Sequence, residues 1–349
     1  MYMNNKIENI ITKYYNKTKK IKQGKNASYI PELKNVDPNI FSISFVGCDG
    51  NIINIGDSKT PIAIESISKV FTFAKAVEEF GFSDISKKIG HMGSSLPFNS
   101  IIAAVLSETH TINPFVNQGA MATTSLFYTP NKDSFERKIL NNMNIFANKK
   151  LKVNHKLFKS EKNSNDTNYA LAYILKSKDR FYGDVLETID VYTKQCSVMV
   201  TSEDLAKMAC VFAKGGIHPI TNKRILSSKT CERVATALTG EGLYEFSETW
   251  DNNVGAIPAK SGVGGGIFVI LPGIGGLALV SPPLDKYGNS VKGIKAGTKI
   301  VKQILKLHNK NITFCSIKNE NKERKTKKKS KNSHNKTKKN KNKNKNKNK

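Results

Sequence analysis

A serine and a lysine three residues apart, Ser66 and Lys69, are the first residues in this sequence whose types and spacing could carry chemistry. In a helix they would lie one turn apart on the same face, which would bring the amine within reach of the hydroxyl. A serine hydroxyl is a weak nucleophile until a neighbouring base takes its proton. A lysine can be that base only when its pKa falls well below about 10.4. The pattern is short, and a serine that merely caps a helix is the structural alternative.

A second short motif, Lys260-Ser261-Gly262 followed by a glycine-rich stretch, supports the catalytic interpretation. A strand that opens with such a triplet can lie beside a nucleophile and direct backbone N–H groups at a developing oxyanion, and one such donor contributes about 3 kcal/mol. S-x-x-K together with K-[ST]-G is the motif pair of active-serine β-lactamases and penicillin-binding proteins. Their middle motif, S-D-N or Y-x-N, does not occur between the two. The pair therefore predicts the scaffold of those enzymes and argues against β-lactam chemistry.

The elements that must position these motifs follow from the apolar pattern. Alternation around tight turns predicts β-hairpins at 41–57 and 261–284. Helical spacing predicts helices at 66–80, ending at Gly81, at 202–215, capped by Ser202, and at 291–308.

Strands at both ends of the chain with helices between them predict an α+β fold, an antiparallel β-sheet flanked by helices with an inserted helical subdomain. We expect an N-terminal extension at 1–20, a catalytic domain at 21–315 with the helical subdomain at about 84–190, and a disordered tail at 316–349. From residue 318 onward the tail holds 16 Lys and Arg residues and two acids. This segment therefore carries half of the formal net charge of +28. A solvated extension and a nucleic-acid or other polyanion contact both remain open for it.

The five cysteines are widely spaced and form no C-x-x-C pair. This pattern fits reduced thiols in a cytoplasmic protein better than a disulfide framework or a zinc site. The longest uncharged stretch, 261–284, is interrupted by glycines and prolines, and we therefore expect no membrane segment.

Six longer stretches form a recognisable set: ESISKVFTFA, INPFVNQGAM, NYALAYIL, YTKQCSVMVTSEDLAKMACVFAKGG, AIPAKSGVGGGI and SPPLDKYGNSVKG. In this order they resemble the blocks of the serine-dependent glutaminase family, from about Gly24 to Gly297. The resemblance implies a β-lactamase/transpeptidase-like fold. It also implies hydrolysis of L-glutamine to L-glutamate and ammonia through a glutamyl-serine intermediate, without metal or cofactor, in a homodimer or homotetramer.

The resemblance assigns roles to the residues whose motifs match. Ser66 would be the nucleophile and Lys69 its activator, Tyr244 would shuttle the proton, and Tyr29 would face the reacting group. The backbone N–H groups of Ser66 and Val263 would form the oxyanion hole. The residues assigned to substrate binding are Ser66, Asn117, Glu161, Asn168, Tyr192, Tyr244 and Val263.

Each of these residues also has a structural interpretation. Asn168 could cap a helix, and Asn117 could belong to a turn after Asn113-Pro114. Glu161 could be a solvated charge among polar neighbours. The tyrosines could be anchoring or core aromatics with satisfied hydroxyls: Tyr29, Tyr192 and Tyr244.

One departure from the family pattern concerns the residue before the nucleophile, which is Glu65 where glutamine is usual. A carboxylate facing the site would disfavour an anionic serine and would help to keep Lys69 charged. Either Glu65 points away from the site, or the activity is altered. Two other functions remain as alternatives. One is a β-lactamase or penicillin-binding-like serine hydrolase, and the other is an inactive body with a polyanion-binding basic tail.

Overall fold

Strands from both ends of the chain meet in one antiparallel sheet in the computed structural model, which describes residues 2–91, 97, 99–106 and 110–308. The strands are β1 (Ser42–Gly47), β2 (Ile52–Gly56), β3 (Ile62–Ala63), β4 (Lys152–Val153), β5 (Val198–Val200), β6 (Ala259–Gly262), β7 (Gly266–Leu271) and β8 (Gly275–Val280). The main sheet has the order β2-β1-β8-β7-β6, and a small second sheet has the order β3-β5-β4. The predicted α+β fold with an antiparallel sheet is confirmed.

Both predicted hairpins are present. Strands β1 and β2 pair from Ser42 with Gly56 to Val46 with Ile52. Strands β7 and β8 are buried along their whole length, which agrees with their nearly continuous apolar sequence.

The helices of the described residues surround this sheet. They are α1 (Tyr2–Thr18), α2 (Pro31–Lys34), α3 (Ser68–Phe80), α4 (Phe82–Ile89), α5 (Ile101–Leu106), α6 (Asn117–Ser125), α7 (Lys132–Ala147), α8 (His155–Lys162), α9 (Asp166–Lys176), α10 (Val185–Cys196), α11 (Ser202–Ala213), α12 (Ser228–Glu241), α13 (Ser247–Val254) and α14 (Val291–Leu307). On β8, Gly276 faces α11 and Leu279 faces α14. Positions three apart on a strand point to opposite faces, so these two helices cover the two faces of the sheet.

Helix α3 runs through the core and is anchored there by aromatic side chains. The Phe71 ring lies 4.9 Å from the ring of Phe146 and 5.8 Å from that of Phe268, measured between centroids. Phe212 stacks on Phe146 at 5.3 Å. These rings come from α3, α7, α11 and β7, so four elements fix the helix that carries Lys69.

The starts of two helices differ from their predictions. Helix α3 begins at Ser68 because residues 65–67 form a 3₁₀ turn, and it ends before Gly81, as predicted. Helix α11 is capped by Thr201 rather than Ser202, since the Thr201 hydroxyl accepts the N–H of Asp204 at 3.1 Å. An extended backbone at Thr201 allows this reciprocal capping box.

The predicted N-terminal extension contains α1, which packs on α14 and on the β1–β2 hairpin. Its Ile7 and Ile11 are buried, and Tyr15 stacks on Phe41 with a centroid distance of 4.8 Å. The predicted helical subdomain, about 84–190, holds most of the helices between β3 and β5. The predicted tail, 316–349, lies outside the described residues. None of the helices in the described part of the chain combines the length and the apolar character needed to cross a bilayer.

Candidate active site

Ser66 lies in the 3₁₀ turn that connects β3 to α3, and it is half-buried. The preceding residue, Glu65, has a φ of +50°, and Tyr244 has a φ of +55°. A left-handed backbone costs a non-glycine residue roughly 1–2 kcal/mol and tends to occur at functional sites. The Tyr244 phenol forms a hydrogen bond with the Ser66 hydroxyl. One strained position therefore precedes the nucleophile candidate in the chain, and the other contacts it through a hydrogen bond.

Lys69 follows Ser66 by three residues and is only 1% exposed. Its Nζ donates to Asn117 Oδ1 at 2.7 Å and to the Phe115 carbonyl oxygen at 3.2 Å. Burial lowers the pKa of Lys69 to about 8, although the nearby Cys196 and Glu65 act in the opposite direction. A neutral amine with two N–H groups donated in this way keeps a lone pair with which it can accept a proton.

Strand β6 brings the Lys260-Ser261-Gly262 motif beside the Ser66 turn. Lys260 is fully buried; its Nζ donates to the Ser261 carbonyl oxygen at 2.9 Å and lies 4.3 Å from the centre of the Tyr244 ring. Burial and the Lys69 amine hold the pKa of Lys260 well below its usual range. Among the described residues, no acceptor takes the backbone N–H of Ser66 or of Val263. Both N–H groups are therefore available to an oxyanion.

Opposite this strand, a chain of side-chain hydrogen bonds connects three helices. Asn117 Nδ2 donates to Asn168 Oδ1 at 3.0 Å, and Asn168 Nδ2 donates to Asn165 Oδ1 at 2.6 Å. Asn165 in turn donates to Thr193 Oγ1 at 2.7 Å. The Tyr192 hydroxyl donates to Asn117 Oδ1 at 3.5 Å. The amides of α6 and α9 are thus oriented by one another and by α10.

The structure answers two of the structural alternatives for the asparagines. Asn117 is the first residue of α6 rather than part of a turn. Asn168 lies inside α9, whose N-cap position is held by Asn165. Neither residue has the local role that its sequence neighbourhood allowed.

A pair of acids completes this side of the site. The carboxyl groups of Glu65 and Glu161 form a hydrogen bond with each other. Burial raises the pKa of Glu161 to about 7 and holds that of Glu65 well above its usual range. Tyr29 is 60% exposed but lines the same cavity as these acids. Desolvation at the cavity and the nearby Glu65 raise the pKa of Tyr29. Glu161 is half-buried and its Oε1 atom is buried, so it is not a solvated charge.

These residues enclose a cavity of about 230 Å³. The predicted residues on its lining are Tyr29, Ser66, Asn117, Glu161, Asn168, Tyr192, Tyr244 and Val263, and Lys69 is tied to it through Asn117. A larger cavity of about 970 Å³ adjoins it at Tyr29 and Val263. The smaller cavity is the reaction-site candidate, because the acids and the tyrosines with raised pKa values line it together with Ser66.

Sequence reasoning missed several members of the site. Phe115 offers only a backbone carbonyl to Lys69, which no side-chain pattern could indicate. Asn165 and Cys196 line the cavity from α9 and α10, and no motif marks them. For Asn165 the one usable signal was its position at the start of a helical pattern.

Comparison with known proteins gives consistent matches over this same region. The profile of the family described as Glutaminase matches residues 24–309. A glutaminase of Colwellia psychrerythraea is 46% identical over 290 residues, which cover 83% of this chain and 93% of that protein. The solved structure of a probable glutaminase superposes with a TM-score of 0.84 at 40% identity, covering 86% of this chain and 97% of that one. A crystal structure of Mglu in its glutamate form has a TM-score of 0.80 at 32% identity, covering 86% and 69%.

Proposed function

This chain belongs to the glutaminase family and hydrolyses L-glutamine to L-glutamate and ammonia, and we propose that Ser66 is the nucleophile of that reaction. The observation that carries the assignment is the Ser66 hydroxyl itself. It opens into the small cavity and is hydrogen-bonded to Tyr244. One helical turn away lies a buried lysine whose pKa is lowered to about 8.

In the first step Ser66 Oγ attacks the side-chain carboxamide carbon of glutamine. The serine proton passes to the neutral amine of Lys69, and the carbonyl oxygen becomes an oxyanion. The N–H groups of Ser66 and Val263 stabilise this oxyanion, each by about 3 kcal/mol. Both belong to backbone that is already in place, so little reorganisation is needed.

In the second step a proton must reach the leaving nitrogen. Burial raises the pKa of Tyr244 to about 12, so its phenol stays protonated near neutral pH. Tyr244 gives its proton to the amide nitrogen as the C–N bond breaks, and it is reprotonated from the Lys69 ammonium. Ammonia leaves and a glutamyl ester remains on Ser66. Water then attacks the ester carbon and loses a proton to the Lys69 amine. The bond between that carbon and Ser66 Oγ breaks, the Lys69 ammonium returns the proton to Ser66 Oγ, and glutamate leaves.

The opposite side of the cavity suits the amino-acid end of the substrate. Glu161 offers a carboxylate to the α-ammonium group. Amide and phenol donors offer hydrogen bonds to the α-carboxylate: Asn117, Asn168 and Tyr192. Tyr29 faces the reacting group from the entrance.

The test combines an activity with an intermediate. We expect ammonia release from L-glutamine, little from L-asparagine, and a transient glutamyl adduct on the peptide that contains Ser66, detected by mass spectrometry after acid quenching. Asparagine has the same α-ammonium and α-carboxylate groups as glutamine. Its side chain is shorter, so its amide would not reach the nucleophile. Rapid ammonia release with the adduct on another residue contradicts the assignment of Ser66.

Three broader predictions are part of the same proposal: a homodimer or homotetramer, a cytoplasmic location, and a polyanion contact made by the tail. Light scattering of the purified protein tests the assembly. Deletion of residues 316–349 should weaken polyanion binding and leave ammonia release unchanged. Equal binding of a polyanion by the full-length and shortened chains would remove the tail from that role.

A further inference from the structure

The carboxyl groups of Glu65 and Glu161 are in contact, and the reaction steps above do not use this contact. Glu65 is 4% exposed. In the described part of the chain, neither Glu65 Oε1 nor Glu161 Oε1 receives a hydrogen bond from an N–H or O–H donor, and both atoms are buried. Two ionised carboxylates have no proton to share and repel each other, so this contact requires one proton between them.

The Lys69 charge lowers the pKa of Glu65, but burial and the contact with Glu161 act more strongly in the opposite direction. The Lys69 amine donates to Asn117 and to the Phe115 carbonyl rather than to either acid. Ion pairs among the described residues involve other acids. A buried acid without a counter-ion avoids the cost of desolvation by keeping its proton.

Glu65 is also fixed in place by its backbone and by the neighbouring strand. Its φ of +50° is held in the turn before the nucleophile. A Cβ atom on Gly262 would lie 3.2 Å from Glu65 Cβ, and one on Gly264 would lie 3.4 Å from Glu65 Cγ. The β6 end therefore packs directly along the Glu65 side chain, whose carboxyl lines the cavity. The acid cannot turn away from Glu161 without disturbing this packing.

We propose that Glu65 holds the shared proton and donates it in a hydrogen bond to the Glu161 carboxylate, as a positioning residue that keeps Glu161 ionised and oriented. The inference rests on the proposed function in one respect, the binding of the substrate ammonium by Glu161. A protonated carboxyl group has the shape of a glutamine amide and, like it, has a donor. Glu65 thus adds no charge beside Ser66.

The burial of the two acids is consistent with this direction of donation. Glu65 is 4% exposed, whereas Glu161 is half-buried, so ionising Glu65 carries the larger cost of desolvation. A carboxylic acid kept neutral near pH 7 in order to donate a hydrogen bond has precedent in enzyme sites. The ionisable groups that face the pair from the surrounding elements are Tyr29, Lys69, Tyr192, Cys196 and Tyr244.

The first test observes the proton directly, without substrate. Infrared spectra of the full-length protein are recorded across a pH titration for the wild type and for Glu65→Gln. We expect a carboxylic-acid C=O band in the wild type at neutral pH that disappears on titration to alkaline pH and is missing in Glu65→Gln. A wild-type spectrum without such a band overturns the proposal. Since no glutamine is present, this result is independent of the proposed hydrolysis.

The second test compares the pH dependence of kcat/KM in wild type, Glu65→Gln and Glu65→Leu. Loss of the shared proton places two negative charges beside the oxyanion, so the wild-type activity should fall on the alkaline side, and Glu65→Gln should lack that fall. Glu65→Leu, which has no donor, should have a kcat/KM about tenfold below that of Glu65→Gln, mainly through KM. An alkaline fall of equal size in wild type and Glu65→Gln, or equal values for the two variants, overturns the role of Glu65. Thermal unfolding of each variant shows whether it is folded; should Glu65→Leu fail to fold, the comparison of wild type with Glu65→Gln decides.

Discussion

The cavity has two sides that are built in different ways. The reaction wall consists of Ser66, Lys69, Tyr244 and β6, and it comes from two short motifs and two 3₁₀ turns, Glu65–Ile67 and Tyr244–Phe246. The recognition wall, consisting of Asn117, Glu161, Asn168 and Tyr192, comes from helices α6, α8, α9 and α10. The reaction wall has backbone strain at its centre, whereas the recognition wall is regular helix with side chains bonded to one another.

This difference separates two ways of preparing a site. On the reaction wall, burial changes protonation: the pKa of Lys69 falls and that of Tyr244 rises. On the recognition wall, hydrogen bonds fix the direction of donors before the substrate arrives. Changes to the first wall should therefore lower kcat, and changes to the second should raise KM.

The largest effect should come from Ser66→Ala. Without the hydroxyl no glutamyl ester can form, and kcat should fall by about 10⁴- to 10⁶-fold, as for other nucleophile deletions. Glutamine binding and the thermal unfolding temperature should change little, because Ser66 is only half-buried and the substitution removes a single hydroxyl group. Turnover by Ser66→Ala at the wild-type rate would show that Ser66 is not the nucleophile.

The second-largest effect should come from Lys69→Met, which should lower kcat by about 10²- to 10⁴-fold. Methionine keeps the length of the side chain and removes the base. Lys69 is charged below its pKa of about 8 and neutral above it, so wild-type kcat/KM should rise with pH through that value. The variant should lack this rise.

A matched control lies on the same helix. Lys75 pairs with Glu79 at 2.5 Å at the far end of α3, and Lys75→Met should leave the pH profile of the wild type intact. A profile that still rises through pH 8 in Lys69→Met would assign the titration to another group.

Most of the reaction wall could be predicted from the sequence, because its residues apart from Tyr244 fall within motifs whose spacing is local. Tyr244 was indicated only by the resemblance. Ser66 and Lys69 lie in one stretch, and Lys260 and Val263 lie in another. A correct prediction of the secondary structure of each stretch is therefore enough to recognise both motifs. The start of α3 was misplaced by two residues, because the left-handed φ of Glu65 leaves no compositional trace.

The recognition wall depends on packing between distant segments. Nothing in the local sequence says that Asn117 meets Asn168, which are 51 residues apart and joined by a 3.0 Å hydrogen bond. The resemblance named these residues, but it gave no partners for them. Glu65 is the sharpest case. The sequence suggested a harmful charge facing the site or an acid turned away, and the structure has it facing the site in contact with a second acid.

Tyr244→Phe tests whether the reaction wall needs its second proton carrier. Loss of the phenol should reduce kcat by about 10²-fold, at the low end for positioned acid–base groups, because water can replace it in part. The ring would still pack on Lys260, so KM and thermal stability should stay close to wild type. A large increase in KM with unchanged kcat would show that Tyr244 binds the substrate rather than carrying a proton.

The smallest effect should come from Asn168→Ala. It removes one substrate donor and releases the Asn117 amide, whose Nδ2 now donates to Asn168. We expect KM for glutamine to rise about tenfold, the value of one hydrogen bond to a charged group, with kcat changed far less. Asn163→Ala, at the exposed end of α8 in the same stretch, provides the control and should match wild type. Because Asn117 also accepts from Lys69, a fall in kcat equal to the rise in KM would mean that the two walls act as one unit through Asn117.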